Sequence, residues 1–360
     1  MSMLGLFMTD VSSNRDMAAA GSMTDRLPTL DCLRGVASLA VMWFHFTRHM
    51  MPHIGTGTVY SSGKYGWLGV QVFFVISGFV IPYSMRRAGY TISCYGKFLL
   101  KRITRLDPPY LLSIGLILSY QYMLTTRPNY QGESFQVSIP QLLCHVAYLN
   151  VVFGYEWFNG VFWSLAIEFQ YYLLIGLLFP LLFSRGERSR LSVLSILLLL
   201  SFIPPTAFIF SYLGFFLLGF VTLFHHLKML DRKSYLAWLV VLIGSLVFTA
   251  GLIPALIAGA TASLIAWVRF DFRILSFFGL ISYSLYLLHW PLGLPLLGFV
   301  QSRTGSAYVT LAVTVALTVF SAFVYYLAIE RPSQVLASFF SYRSLRERTP
   351  DRILVADQAG

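Results

Sequence analysis

Apolar residues in this chain fall in long blocks rather than in alternation. The blocks cover roughly 31–50, 66–84, 106–126, 141–154, 161–183, 191–205, 206–224, 234–250, 252–268, 277–299 and 307–329. Most approach the 17 to 25 residues, about 30 Å as a helix, that cross a bilayer core. Membrane barrel strands would alternate polar and apolar positions, so the pattern predicts helices. Block 141–154 departs from it. It is short, carries His145 and Asn150, and at about 1.5 Å per residue reaches only about 21 Å.

Loop charge assigns that block. Basic residues cluster at 85–105 (Arg86, Arg87, Lys97, Lys101, Arg102, Arg105), 185–190 (Arg185, Arg188, Arg190) and 225–233 (Lys228, Arg232, Lys233). They recur at 269–273 (Arg269, Arg273) and after Glu330 (Arg331, Arg343, Arg346, Arg348). All five clusters face the cytoplasm, as the positive-inside rule requires, only if 141–154 does not span. The prediction is an all-α polytopic membrane bundle of about ten transmembrane helices, with one short re-entrant or interfacial helix. Both termini are then cytoplasmic in a multi-pass protein of the inner (plasma) membrane. The outer loops, near 51–65, 127–160, 251–254 and 300–306, are poorer in Lys and Arg. Residues 1–26 are expected to be a disordered cytoplasmic tail, 27–333 one membrane domain, and 334–360 a second cytoplasmic tail. The first 26 residues hold no apolar core of signal-peptide length, and Met3, Met8, Met17 and Met23 leave the start open. No internal repeat is evident, and no fused soluble domain is expected.

Composition narrows the class further. Hydrophobic residues make up 57% and charged residues 11%, against about 25% charged in soluble domains. A globule of this size would lack the charge to be solvated. The net charge of +11 belongs to the short loops and predicts no nucleic-acid partner. Cys32, Cys94 and Cys144 are scattered, with neither metal-ligand spacing nor a disulfide framework. They read as unpaired structural residues, and no metal site is expected.

Ionisable groups inside apolar blocks are costly and so mark candidate chemistry. Arg34 and His45 are eleven residues apart, close to three turns, so they share a face about 16 Å apart along the axis. Asp31, Ser38 and His49 fall near the same stripe. His45 reads equally as a hydrogen-bonded core histidine. Ser164, Glu168 and Tyr172 are spaced i, i+4, i+8 and share a second face. Glu168 lies at a depth similar to His45 and could orient its tautomer; the alternative is a structural carboxylate held by Ser and Tyr hydroxyls. Ser282, Tyr286 and His289 follow i, i+4, i+7, with His289 beside Pro291, where a packing and kink role is the competing reading. Arg102 and Arg105 precede Asp107 and suit either ordinary cytoplasmic anchoring or bidentate phosphate binding. Glu330-Arg331-Pro332 reads as a charged interfacial helix end stopped by Pro.

Taken together, these segments resemble the acyltransferase-3 family over about 30–332. Leu30-Asp-Cys-Leu-Arg34-Gly is similar to the family's opening motif, with Cys32 where Gly is common. Arg34 and His45 resemble its Arg-x10-His pattern, and Arg102 and Arg105 its cytoplasmic Arg-x-x-Arg pattern. Gly69 to Phe79, Trp163 to Gln170 (with Phe169 where Glu is frequent), Ser282 to His289 and Glu330-Arg-Pro also fit. The resemblance implies a ten-helix domain with no permanently bound cofactor. It implies that a cytoplasmic acyl-CoA, acetyl-CoA in the first instance, acylates a hydroxyl of an envelope sugar, polysaccharide or glycolipid. His45 is then the catalytic candidate, as general base or transient acyl carrier, with Glu168 orienting it and Arg34 on the route from the mouth. Arg102 and Arg105 hold the donor phosphates, and Asp31, Ser164, Tyr172, Tyr286 and His289 line or support the site. The rival reading is an acyl carrier or transporter that supplies a separate transferase. Paired, interrupted helices repeated in two halves would favour a transporter, and the sequence has none.

Overall fold

The computed structural model describes residues 27–50, 57–128, 136–183, 185–204, 207–340 and Tyr342. Regular structure in this range is helical. Helix α1 (Pro28–His45) runs into a π-helical turn at Phe46–Met50. A short α2 (Thr58–Ser62) leads to α3 (Gly69–Arg87) and α4 (Tyr95–Thr125). Two short helices come next, α5 (Ile139–Val146) and α6 (Asn150–Phe153). Then come α7 (Phe162–Phe183), α8 (Gly186–Leu200), α9 (Leu213–His226), α10 (Arg232–Ala250) and α11 (Leu252–Trp267). Helices α12 (Arg273–Leu280) and α13 (Ser282–Thr304) join at Ile281. Last, α14 (Ala307–Tyr325) passes through a π-helical turn at Tyr326–Glu330 into α15 (Arg331–Ser338).

Each of the ten long apolar blocks is thus helical. Six stretches are long and apolar enough to cross a membrane: Thr58–Arg87, Phe162–Phe183, Ile209–His226, Arg232–Ala250, Ser282–Thr304 and Ala307–Ser338. Helices α8 and α11 fall short in length. Helices α1 and α4 are long enough but fall short in apolarity: α1 carries Asp31 and Arg34, and α4 carries four basic residues, Asp107 and two prolines.

Block 141–154 does not form one helix. Tyr148 breaks it with a positive φ of 58°. The two polar residues that made the block doubtful tie the break together: Asn150 Nδ2 lies 2.9 Å from His145 Nδ1, and His145 Nε2 accepts from the Phe158 N–H at 3.0 Å. Tyr110 donates to the His145 carbonyl at 3.1 Å. Tyr110 is fifteen residues into α4, about 22 Å along its axis, so the segment is packed well down the bundle.

The structure corrects two sequence expectations. The link between α3 and α4 is confined to 88–94, and Lys97, Lys101, Arg102 and Arg105 belong to α4 rather than to a loop. Their charge masks a helix whose first turns still bury Phe98. The last helix also does not stop at Pro332. Proline follows directly on the π-helical turn at Tyr326–Glu330, and such a turn accommodates the break in the hydrogen-bond ladder that proline imposes. Residues 1–26, 341 and 343–360 of the expected tails lie outside the described residues, while 334–338 continue α15.

The basic loops gather at one end. Arg86 and Arg190 both reach Met229, Thr29 donates to the Val268 carbonyl at 3.0 Å, and Cys94 contacts the Tyr342 carbonyl. Small residues set the spacing of the helices that hold the site. A Cβ on Gly35 would collide with the Leu275 carbonyl oxygen, and one on Gly279 would collide with that of Asp31. Helices α1 and α12 therefore touch backbone to backbone, the packing that membrane helices achieve with glycine. Gly35→Ala should lower thermal stability by about 1–3 kcal/mol and, by moving the neighbouring Arg34, reduce turnover as well. Melting in lipid nanodiscs with a parallel activity assay would show a purely thermal effect if Arg34 stays in place.

Positive-inside charge and the broken segment 139–158 together make a topological expectation. In a cysteine-free background, Ser138→Cys and Glu156→Cys should both react with an impermeant thiol reagent from outside the cell. Reaction of only one would mean that the segment crosses the membrane.

Candidate functional site

Helices α1, α3, α4, α7 and α13 and the π-helical turn after α14 enclose a cavity of about 130 Å³. Its polar wall is charged: Arg34 from α1, Arg102 and Arg105 from α4, Glu168 from α7, and Glu330. Three cations face two anions inside the bundle. Arg102 is 8% exposed. It donates to Ser84 Oγ at 3.1 Å and lies against the rings of Phe98 and Tyr172. The Nε atoms of Arg34 and Arg102 are buried without a hydrogen-bond partner. A buried donor left unpaired costs about 1–3 kcal/mol, so an acceptor reaching either group would stabilise it. Planar guanidinium groups suit the oxygens of phosphate or carboxylate.

Helical spacing delivers the other wall. Ser164, Glu168 and Tyr172 all line the cavity, as their shared face predicts. Tyr172 and Ser77 donate to Glu168 Oε1 at 2.6 and 3.0 Å. Glu168 therefore is not the partner of His45, contrary to the sequence expectation. Spacing along two helices gives depth, but not the rotation that would bring the two side chains together. Asp31 is also outside the lining; its backbone packs on Gly279.

His45 pairs instead with His289. Their rings are 4.9 Å apart, with His289 Nε2 3.1 Å from His45 Nδ1. His289 Nδ1 faces the Leu285 carbonyl at 3.1 Å, and His45 Nδ1 faces that of Val41 at 2.9 Å. A carbonyl accepts only from a donor, so in the neutral rings both Nδ1 atoms carry the proton. His289 Nε2 then accepts a shared bond from His45 Nδ1–H. The lone pair on His45 Nε2 is left for a proton, a role imidazole can fill near neutral pH. His289 is buried and His45 half-buried.

The histidine pair is beside the cavity and not in its lining. Tyr286 stands between them. It lines the cavity, its ring is 5.8 Å from that of His289, and its hydroxyl is tied to Ser164 Oγ and the Val161 carbonyl. Ser282 lines the cavity too. Sequence reasoning missed Glu330 and Ser77 as lining residues. A glutamate beside Arg-Pro reads as a helix end, and only the continuation into α15 places it inside. Among the described residues, no group of three His, Cys, Asp or Glu side chains is placed to hold a metal ion.

Comparison with known proteins joins these features to a family. The acyltransferase-3 family, described as an acyltransferase domain, matches residues 27–329. The acyltransferase MdmB of Streptomyces mycarofaciens is 30% identical over 161 residues, 43% of this chain and 40% of the relative. The O-acetyltransferase OatA of Staphylococcus aureus is 29% identical over 185 residues, 49% of this chain and 28% of the relative. The matched region is less than half the length of each of these relatives. No solved structure matches the chain. The family match spans every element that lines the charged cavity except Glu330, one residue beyond its end, and it takes in both histidines: this chain belongs to the acyltransferase-3 family.

Proposed function

We propose that the protein is a membrane O-acyltransferase. It takes an acyl group, acetyl in the first instance, from a cytoplasmic acyl-CoA and passes it to a hydroxyl of an envelope sugar, polysaccharide or lipid-linked glycan. The observation that carries this reading is a cavity lined by three arginines beside a histidine whose Nε2 keeps a lone pair. Relatives named as an acyltransferase and an O-acetyltransferase support the same chemistry.

In this proposal the ten apolar blocks span the inner membrane with both termini in the cytoplasm, and 139–158 re-enters from outside. Residues 27–333 form the catalytic domain. The basic end of the bundle is the donor's entrance. Arg102 and Arg105 bind its phosphates, with Arg34 deeper on the same route. The thioester end passes Tyr286 to reach His45. As the acceptor oxygen attacks the thioester carbonyl, His45 Nε2 takes the hydroxyl proton. Collapse of the tetrahedral species expels the CoA sulfur, which leaves with that proton. Should His45 carry the acyl group transiently, the same lone pair bonds the carbonyl carbon as the C–S bond to CoA breaks, and the acceptor oxygen then displaces the imidazole, its proton passing to the CoA thiolate. His289 holds His45 in the required tautomer, the role that sequence alone gave to Glu168. Mass spectrometry of envelope glycans with and without the protein tests the reading: unchanged O-acylation in its absence would refute it.

A general base contributes on the order of 10²–10⁴ in rate. His45→Gln should lose turnover on that scale while the protein still inserts and binds CoA. His289→Gln keeps an acceptor for His45 Nδ1–H and should stay more active than His289→Leu. Equal activity in the two His289 variants would remove the positioning role, and wild-type turnover in His45→Gln would remove the mechanism.

Lysine supplies the charge of arginine without its fork. Arg102→Lys and Arg105→Lys should each raise the KM for acyl-CoA with a smaller effect on kcat. An unchanged KM at low donor concentration would reduce the pair to topological anchors.

A further inference from the structure

Glu330 is a buried carboxylate that none of these steps uses. It is 3% exposed and ends the π-helical turn that leads into α15. Such turns are rare, and they concentrate at functional sites. Its oxygens are held by the chain around it: the Ser284 N–H donates to Oε2 at 3.1 Å, the Ser284 hydroxyl donates to the same oxygen, and Gln334 Nε2 donates to Oε1 at 2.9 Å. None of these bonds goes to an arginine. Arg34 and Arg105 nevertheless share the cavity with it and act on it electrostatically. A direct ion pair would occupy guanidinium donors. A carboxylate held back by Ser284 and Gln334 attracts the arginines and leaves those donors open.

We propose that Glu330 is the internal counter-ion of this anion site. With no ligand bound, it offsets the charge of Arg34 and Arg105. With a phosphate-bearing ligand bound, it repels that ligand and competes for the same cations. Glu330 thereby limits how tightly the anion is held and sets how readily the spent CoA leaves. The identity of the anion rests on the acyl-CoA reading; the counter-ion role rests on the cavity alone.

The test is binding of CoA, and separately of inorganic pyrophosphate, to the full-length protein in lipid nanodiscs. Wild type is compared with Glu330→Gln and Glu330→Asp. Glutamine keeps the shape and can still accept from the Ser284 N–H, but removes the charge. Glu330→Gln should bind both ligands about three- to tenfold more tightly, as expected for losing one repulsive charge across a partly screened cavity. Its KM for acyl-CoA should fall, and kcat should fall with it where product release is limiting. Glu330→Asp should stay near wild type. Unchanged or weaker binding of both ligands in Glu330→Gln overturns the proposal, because a purely structural glutamate would give that result. So does Glu330→Asp matching Glu330→Gln, which would assign the effect to shape. Wild type that binds pyrophosphate but not CoA, with Glu330→Gln still tightening pyrophosphate, overturns the acyl-CoA reading and supports the counter-ion. Wild type that binds neither overturns both.

Discussion

Charge buried in an apolar bundle is the constraint around which this structure is arranged. Three guanidinium groups and two carboxylates face one cavity. Each would be strongly disfavoured alone in a low-dielectric interior. Pairing them directly would satisfy the charges and destroy the site. Instead, neutral neighbours hold the charged groups: Arg102 by Ser84 and two aromatic faces, Glu168 by Ser77 and Tyr172, Glu330 by Ser284 and Gln334. The hydrogen bonds fix where the charges point, while the charges themselves stay available across open space.

Backbone features that would weaken an ordinary helix make that arrangement possible. Gly35 and Gly279 bring α1 and α12 into backbone contact and so set Arg34 against the cavity. On α3, Gly78 packs on the Phe216 carbonyl of α9 and opens the same kind of close approach. Two π-helical turns occur among the described helices. One begins immediately after His45, and the other ends at Glu330. An extra residue in a helical turn rotates the C-terminal part of the helix relative to the N-terminal part. Such turns let Glu330 face inward while the helix continues as α15.

Much of this was legible in the sequence because membrane helices have few polar residues and those few are informative. Ser164, Glu168 and Tyr172 could be placed on one face from spacing alone, and all three line the cavity. The polar content of 141–154 set it apart from the spanning blocks, and His145 and Asn150 are the residues that bind its break. What spacing could not supply was the rotation of one helix against another. Glu168 and His45 are similar in depth by residue count yet face different neighbours, and His289, for which a packing role competed, is the one at hydrogen-bond distance from His45. Proline misled at Glu330-Arg331-Pro332 because the π-helical turn just before it lets the helix run on past it, and that turn is a property of the fold.

The placement of Tyr286 explains why the charged cavity and the histidine pair are neighbours rather than one chamber. An activated ester next to a base in a wet cavity would hydrolyse, and excluding water from the reacting centre suppresses such side reactions. Tyr286 is tied by its hydroxyl to Ser164 and the Val161 carbonyl, with its ring against Phe73 on one side and near His289 on the other. An aromatic wall at that point gives the histidine pair an apolar neighbour, while the arginines keep a charged surface in the cavity. On the acyl-CoA reading, that division suits a donor whose phosphates meet the arginines while its thioester meets the histidine.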